Sequence, residues 1–139
     1  MRVFLDTSVL LAASGSSSGA SREVFRLASR NGWSLLATPY VINEVLRNLP
    51  ELPPSAGSNW ATLRPALTVM DDVFTIDRPV VFDAAKDRPI LFGALAWADV
   101  LLTLDQDDFG GLMDAPFYGL QILRPGAFLQ RERNEGRLI

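Results

Sequence analysis

The chain has 139 residues, 48% of them apolar, which is enough for one domain with its own core. It has no histidine and no cysteine, which excludes Ser-His-Asp and thiol catalysis, Cys/His zinc sites, iron–sulfur clusters and disulfides. Sixteen acids against thirteen bases give a net charge of −3, which argues against holding nucleic acid by bulk positive charge and leaves room for carboxylates gathered round cations.

Residues 2–5 are a short apolar run ending at Asp6, read as a first strand. Residues 7–13 suit a short helix, and 14–19 (Ser-Gly-Ser-Ser-Ser-Gly) a flexible loop. Val24, Leu27 and Ala28 at helical spacing predict a helix over 20–30. Residues 33–37 read as a second strand. Thr38-Pro39 looks like a helix start, a capping threonine followed by proline at the first helical position. Val41, Val45 and Leu49, flanked by Ile42 and Leu46, give that helix one apolar face, and Pro50, Pro53 and Pro54 end it. A helix is expected over 59–70, kinked at Pro65, then a third strand at 73–76 and an irregular stretch over 77–86. Pro89 opens a helix to about Ala98. The apolar, β-branched run 100–104 has the composition of a buried parallel strand. Residues 118–123 read as a fifth strand, and a last helix follows Pro125 and frays over 131–135. Short strands alternating with amphipathic helices predict a three-layer α/β/α sandwich with a mostly parallel sheet of about five strands, formed as a single domain over 1–139.

In such folds ligands gather beyond the carboxyl ends of the strands. Asp6 ends the first strand and Asp105 the run 100–104, so right-handed crossovers bring both to one sheet edge. Glu44 flanks the apolar stripe of its helix, and Asp87 precedes the helix that begins near Pro89. Asp107 and Asp108 follow Asp105 in a turn. Each acid alone has an ordinary reading as a helix cap, a turn former or a solvated residue; their joint placement is what points to chemistry. Carboxylates brought together repel unless a cation resolves the repulsion, and an all-oxygen donor set suits Mg²⁺ or Mn²⁺. Asp71, Asp72, Asp77, Asp83 and Asp114 are read as solvated loop acids.

Four segments resemble PIN-domain nucleases: Leu5-Asp6-Thr7-Ser8-Val9-Leu10, Asn43-Glu44-Val45-Leu46, Lys86-Asp87-Arg88-Pro89-Ile90-Leu91, and Ala98 to Phe109 with its Thr103-Leu104-Asp105 and Asp108-Phe109. The likeness continues through Ile122 to Leu129 and covers nearly the whole chain. Arg88 and Pro89 depart from the small, apolar run that usually follows the family's third acid. The resemblance implies a metal-dependent ribonuclease with Asp6, Glu44, Asp87 and Asp105 as catalytic and metal-binding carboxylates. It implies Asp108 as a further metal carboxylate, with Ser8 and Thr103 orienting carboxylates through hydrogen bonds. Asp99 is expected to brace a loop instead.

It further implies likeness to VapC-type toxins of toxin–antitoxin pairs: RNA as substrate, a small antitoxin as partner, and a homodimer. Phosphate contacts are not assigned, and Arg22, Arg26, Arg47, Arg78 and Arg88 are candidates by position alone. Alternatives are a non-catalytic PIN-like module that binds RNA or protein, and a housekeeping RNA-processing nuclease of the same fold. Aspartyl-phosphate folds fit poorly. Position 8 is serine where a dehalogenase-type phosphatase needs a second Asp, and the one lysine, Lys86, directly precedes Asp87. No apolar run reaches the ~20 residues of a membrane span. The N-terminus meets an acid after Val3-Phe4-Leu5, so no signal peptide is expected and a cytoplasmic location is the default.

Overall fold

A computed structural model describes residues 1–139. Its centre is a five-stranded sheet in the order β3-β2-β1-β4-β5, every pairing parallel, flanked by helices in a three-layer α/β/α arrangement. The strands are β1 (Arg2–Leu5), β2 (Ser34–Ala37), β3 (Leu67–Val69), β4 (Val100–Leu102) and β5 (Gln121–Leu123). The helices are α1 (Thr7–Gly15), α2 (Ala20–Asn31), α3 (Pro39–Asn48), α4 (Ala56–Leu63), α5 (Arg88–Trp97), α6 (Gln106–Phe109) and α7 (Pro125–Asn134). No helix is long and apolar enough to cross a membrane.

Two expected elements fall elsewhere. The third strand is Leu67–Val69, not 73–76. Pro65 does not kink a long helix; it ends α4 in a 3-10 turn at Arg64–Ala66, and the chain then pairs with β2 in the register Leu35↔Leu67. Residues 73–76 run on without joining the sheet, although Val73 and Ile76 pack against the core. The fifth strand is shortened because Tyr118 and Gly119 form a tight reversal at φ 48° and 83°, closed by an antiparallel bridge between Phe117 and Leu120. Glycine takes such a backbone freely, whereas tyrosine reaches it at some cost.

The core is one cluster built on the strands and the inner helix faces, with Phe4, Leu36, Ile90, Leu101, Phe109 and Phe128 fully buried. Burial of both faces explains why β1, β2 and β4 read as continuous apolar runs rather than alternating ones. Gly93 allows α5 to lie close against β1: a Cβ there would stand 3.3 Å from the Phe4 ring and 3.4 Å from Thr38 Cγ2. Thr38 precedes α3, but its hydroxyl makes no capping bond. Asp72, expected as a solvated acid, accepts from the Tyr40 amide at 3.2 Å and caps the helix from across the sheet edge. Asp99 braces the start of β1 as expected, accepting from the Arg2 amide at 2.8 Å.

The strand order reverses between β1 and β4: β2 and β3 lie on one side, β5 on the other. At such a switch point the connections leave in opposite directions and open a crevice beyond the strand ends.

A candidate metal centre

The register builds the site. Leu5 pairs with Leu102, so the next residues on the two strands, Asp6 and Thr103, stand side by side at the switch point. Asp6 is 4% exposed. Its Oδ2 accepts from the Thr103 hydroxyl at 2.6 Å and from the Ser8 hydroxyl at 2.8 Å. The two hydroxyls are themselves fixed: Ser8 Oγ accepts from the Leu104 amide and Thr103 Oγ1 from the Asp105 amide, each at 3.0 Å. Ser8 and Thr103 therefore orient Asp6 and, through Thr103, tie it to the backbone of Asp105. Burial pushes the Asp6 carboxyl up from its ordinary range; the Thr103 and Ser8 bonds oppose this, and the charge of Glu44 adds to it.

Asp105 follows β4 and caps α6, its Oδ1 accepting from the Asp108 amide at 3.0 Å. The ordinary reading of an acid at a helix start is thus real here and occupies one oxygen. The short helix, read from sequence as a turn, carries Asp108 back toward Asp105 and buries Phe109.

Asp87 differs from both. It closes a 3-10 turn, Ala85–Asp87, and precedes α5, yet its carboxylate makes no capping bond. It is 6% exposed and its Oδ2 has no hydrogen-bond partner. Carboxylate oxygens of Asp87, Asp105 and Asp108 lie within 4.8 Å of one another. Burial, the bond with Asp108, and the negative charges of Asp6 and Asp108 push the Asp87 carboxyl up to about 8. Asp108 moves the other way, held down by its hydrogen bonds with Asp87 and Asp105 and by the charge of Lys86. One proton between Asp87 and Asp108 relieves the repulsion that Lys86 offsets only in part.

Of the carboxylates singled out in the sequence, Asp87, Asp105 and Asp108 converge. Asp6 stands beside this trio, near enough for its charge to act on Asp87. Glu44 comes from α3 and its Oε1 accepts from the Thr7 hydroxyl at 2.8 Å, which keeps it on the Asp6 side. Thr7 was not singled out in the sequence; its place directly after Asp6, at the start of a helix that packs against α3, is the signal that could have found it. Tyr40, one helical turn before Glu44, was also missed: its hydroxyl donates to the Lys86 carbonyl and ties α3 to the turn that presents Asp87. Burial and the charges of Glu44 and Asp87 push the Tyr40 hydroxyl up.

The candidate arginines separate by what they do. Arg22 donates to the Ala13 carbonyl at 2.8 Å and Arg88 to that of Phe82 at 3.0 and 3.2 Å. Arg26 pairs with Glu23, and Arg78 lies over the Tyr118 ring at 5.2 Å. Arg47 is exposed and pairs with no carboxylate.

No protein-family model matches the chain, and no curated protein matches it.

Proposed function

We propose that the protein is a Mg²⁺- or Mn²⁺-dependent endoribonuclease whose cation is held by Asp87, Asp105 and Asp108. The observation that carries this reading is Asp87, a buried carboxylate whose Oδ2 has no hydrogen-bond partner, facing two other carboxylates beyond the strand ends. A hard divalent cation fits that donor set, which is all carboxylate oxygen in a chain without imidazole or thiol. When bound, the ion supplies positive charge to a phosphate oxygen and acidifies a water.

The chain's own residues supply position. Asp105 offers the oxygen its cap leaves free, and Asp108 and Asp87 close the other sides. Asp6, immobilised by two hydroxyls, is placed to orient the attacking water and take its proton. Glu44, steadied by Thr7, adds a carboxylate on that side. Hydrolysis adds water across the P–O3′ bond and leaves a 5′ phosphate and a 3′ hydroxyl. The same reading extends to a cytoplasmic, homodimeric toxin held in check by a small antitoxin, whose basic side chain would enter the acidic site in place of the cation.

The test is purified protein with single-stranded RNA in Mn²⁺, in EDTA, and with Asp87→Asn or Asp6→Asn. Cleavage is expected in Mn²⁺ only, with a loss of at least ~100-fold in either variant. Equal cleavage in all arms would assign it to a contaminant and refute the reading.

A further inference from the structure

One face of α3 carries more chemistry than the fold uses. Tyr40, Asn43 and Arg47 stand at i, i+3 and i+7, on the side of the helix that also bears Glu44. With Leu46 they line an open hollow of about 550 Å³. Leu46 is 52% exposed, an apolar group that no part of the fold covers. Asn43 is exposed, with an amide that can both donate and accept. Arg47 is exposed and unpaired, and its charge reaches the Tyr40 hydroxyl. That hydroxyl donates to the carbonyl of Lys86, an exposed cation whose charge acts on Asp87 and Asp108. Arg47 acts on Tyr40 through its charge, Tyr40 bonds to the Lys86 backbone, and the Lys86 charge acts on Asp87 and Asp108, so this face of α3 is linked to the carboxylate trio.

Arg47 and Lys86 are exposed cations that form no ion pair, and the half-buried Tyr40 interacts with both residues. They are what a single strand of nucleic acid requires: cations for the backbone, a ring for a base to stack on, and an amide for a base edge. The stretch from 40 to 47 rises about 10.5 Å at 1.5 Å per residue, the length of roughly three stacked nucleotides. Charge complementarity selects an anionic occupant over a basic or apolar one, since phosphates meet Arg47 and Lys86, and the Tyr40 ring beside them suits a base, which an acidic peptide lacks.

We propose that the Tyr40–Asn43–Arg47 stripe of α3 is the track on which a single-stranded nucleic acid lies as it enters the carboxylate site, with Tyr40 stacking on a base and Arg47 holding a phosphate. The direction of the strand rests on the nuclease reading above; the contact itself is tested without catalysis.

The experiment is fluorescence anisotropy of a labelled 12-nucleotide RNA in EDTA, from 50 to 200 mM salt, with circular-dichroism melts in EDTA confirming that each variant is folded. Arg47→Ala is expected to weaken binding about tenfold and to reduce the slope of log affinity against log salt by ~0.7, the share of one phosphate on a single strand. Tyr40→Leu is expected to weaken it about tenfold with the slope unchanged, and Tyr40→Phe, which keeps the ring, to stay within about twofold. Arg30→Ala, at the amino edge of the sheet, is expected to bind as the unaltered protein does. The proposal is overturned if the unaltered protein binds no RNA, if Arg47→Ala and Tyr40→Leu bind normally, or if Arg30→Ala loses as much as Arg47→Ala. Failure of the nuclease reading is a separate result: absent Mn²⁺-dependent cleavage with the stripe variants still impaired in binding sinks that reading and leaves this one standing.

Discussion

Asp87 makes the sharpest prediction, because the metal-free fold has to protonate it. Its carboxyl releases its proton at about 8 in the folded protein against 3.8 for an ordinary aspartate. A raised acid contributes stability that is complete below about pH 4 and is lost as the pH climbs through about 8. Each tenfold difference in proton affinity corresponds to ~1.4 kcal/mol. Asp108 is shifted the opposite way by the same contact and restores part of the loss. Halving the sum for that coupling leaves ~2–4 kcal/mol lost between pH 4 and 8 in EDTA. Asp87→Asn replaces the carboxyl with an amide that donates to Asp108 or Asp105 at every pH, so the loss should vanish. At roughly 3–4 °C per kcal/mol for a domain of this size, the variant should melt ~6–16 °C above the unaltered protein at pH 8 and close to it at pH 4.5. Mn²⁺ closes most of that gap. At a hundred times its Kd it should stabilise the unaltered protein by ~2.7 kcal/mol, and the variant, missing a ligand, hardly at all. Thermal melts at both pH values, with EDTA and with Mn²⁺, read all four conditions. Parallel pH dependence of the two proteins in EDTA would show that Asp87 carries no burdened carboxyl and would remove the main support for a cation site.

Other expectations follow from single contacts. Thr103→Val keeps the buried volume but removes the donor to Asp6 and the acceptor for the Asp105 amide. It should cost ~1–3 kcal/mol in chemical denaturation and weaken Mn²⁺ binding by ~10–100-fold in calorimetry. Thr7→Val frees Glu44 without touching the Asp87 trio, so Mn²⁺ affinity should fall less than in Thr103→Val. The opposite ranking would place Glu44 ahead of Asp6 in holding the cation. At Gly93, alanine gains ~1 kcal/mol of helix propensity and meets Phe4 and Thr38 at 3.3–3.4 Å, so Gly93→Ala should be near neutral. Gly93→Val adds two methyls at that contact and should lose ~1–3 kcal/mol in urea melts.

The sheet was legible because strands buried on both faces leave continuous apolar runs, and four of the five fell where those runs stand. The exception is instructive. Leu67–Val69 is an edge strand with Thr68 and Val69 exposed, so it lacks the run that marked its neighbours, while 73–76 has apolar residues that pack without pairing. Composition reports burial and does not report backbone pairing. The site was legible in the same limited sense. Strand-end positions could be read for Asp6 and Asp105, because a parallel sheet fixes which edge they share. Asp108 was indicated by the family resemblance alone, because its approach depends on a four-residue helix too short to show a period. Thr7, Tyr40 and Asp72 act through contacts 32 to 46 residues away in the chain, and no local pattern encodes a partner at that distance.

The absence of histidine and cysteine leaves carboxylates to do the work, but the buried aspartates are not equivalent. Asp6 and Asp87 are nearly equally hidden, at 4% and 6% exposed, and burial raises both carboxyls. Asp6 is given two hydroxyl donors, each anchored in turn by a backbone amide, which oppose that rise and fix its orientation with nothing bound. Asp87 is given none, and its neighbours are acids. A fold that can place hydroxyls beside one carboxylate could do so beside the other. Withholding them leaves a site that a proton fills at neutral pH until a divalent cation displaces it. On that argument Asp6 is a fixed element of the frame, ready before any ion arrives, and Asp87 is the residue whose ionisation and cation binding are one event. Mn²⁺ binding should therefore release about one proton at pH 7 in the unaltered protein, measured as a dependence of calorimetric heat on buffer ionisation enthalpy. Asp6→Asn should keep that release and Asp87→Asn should abolish it, and release retained in Asp87→Asn would assign the shared proton to a different pair.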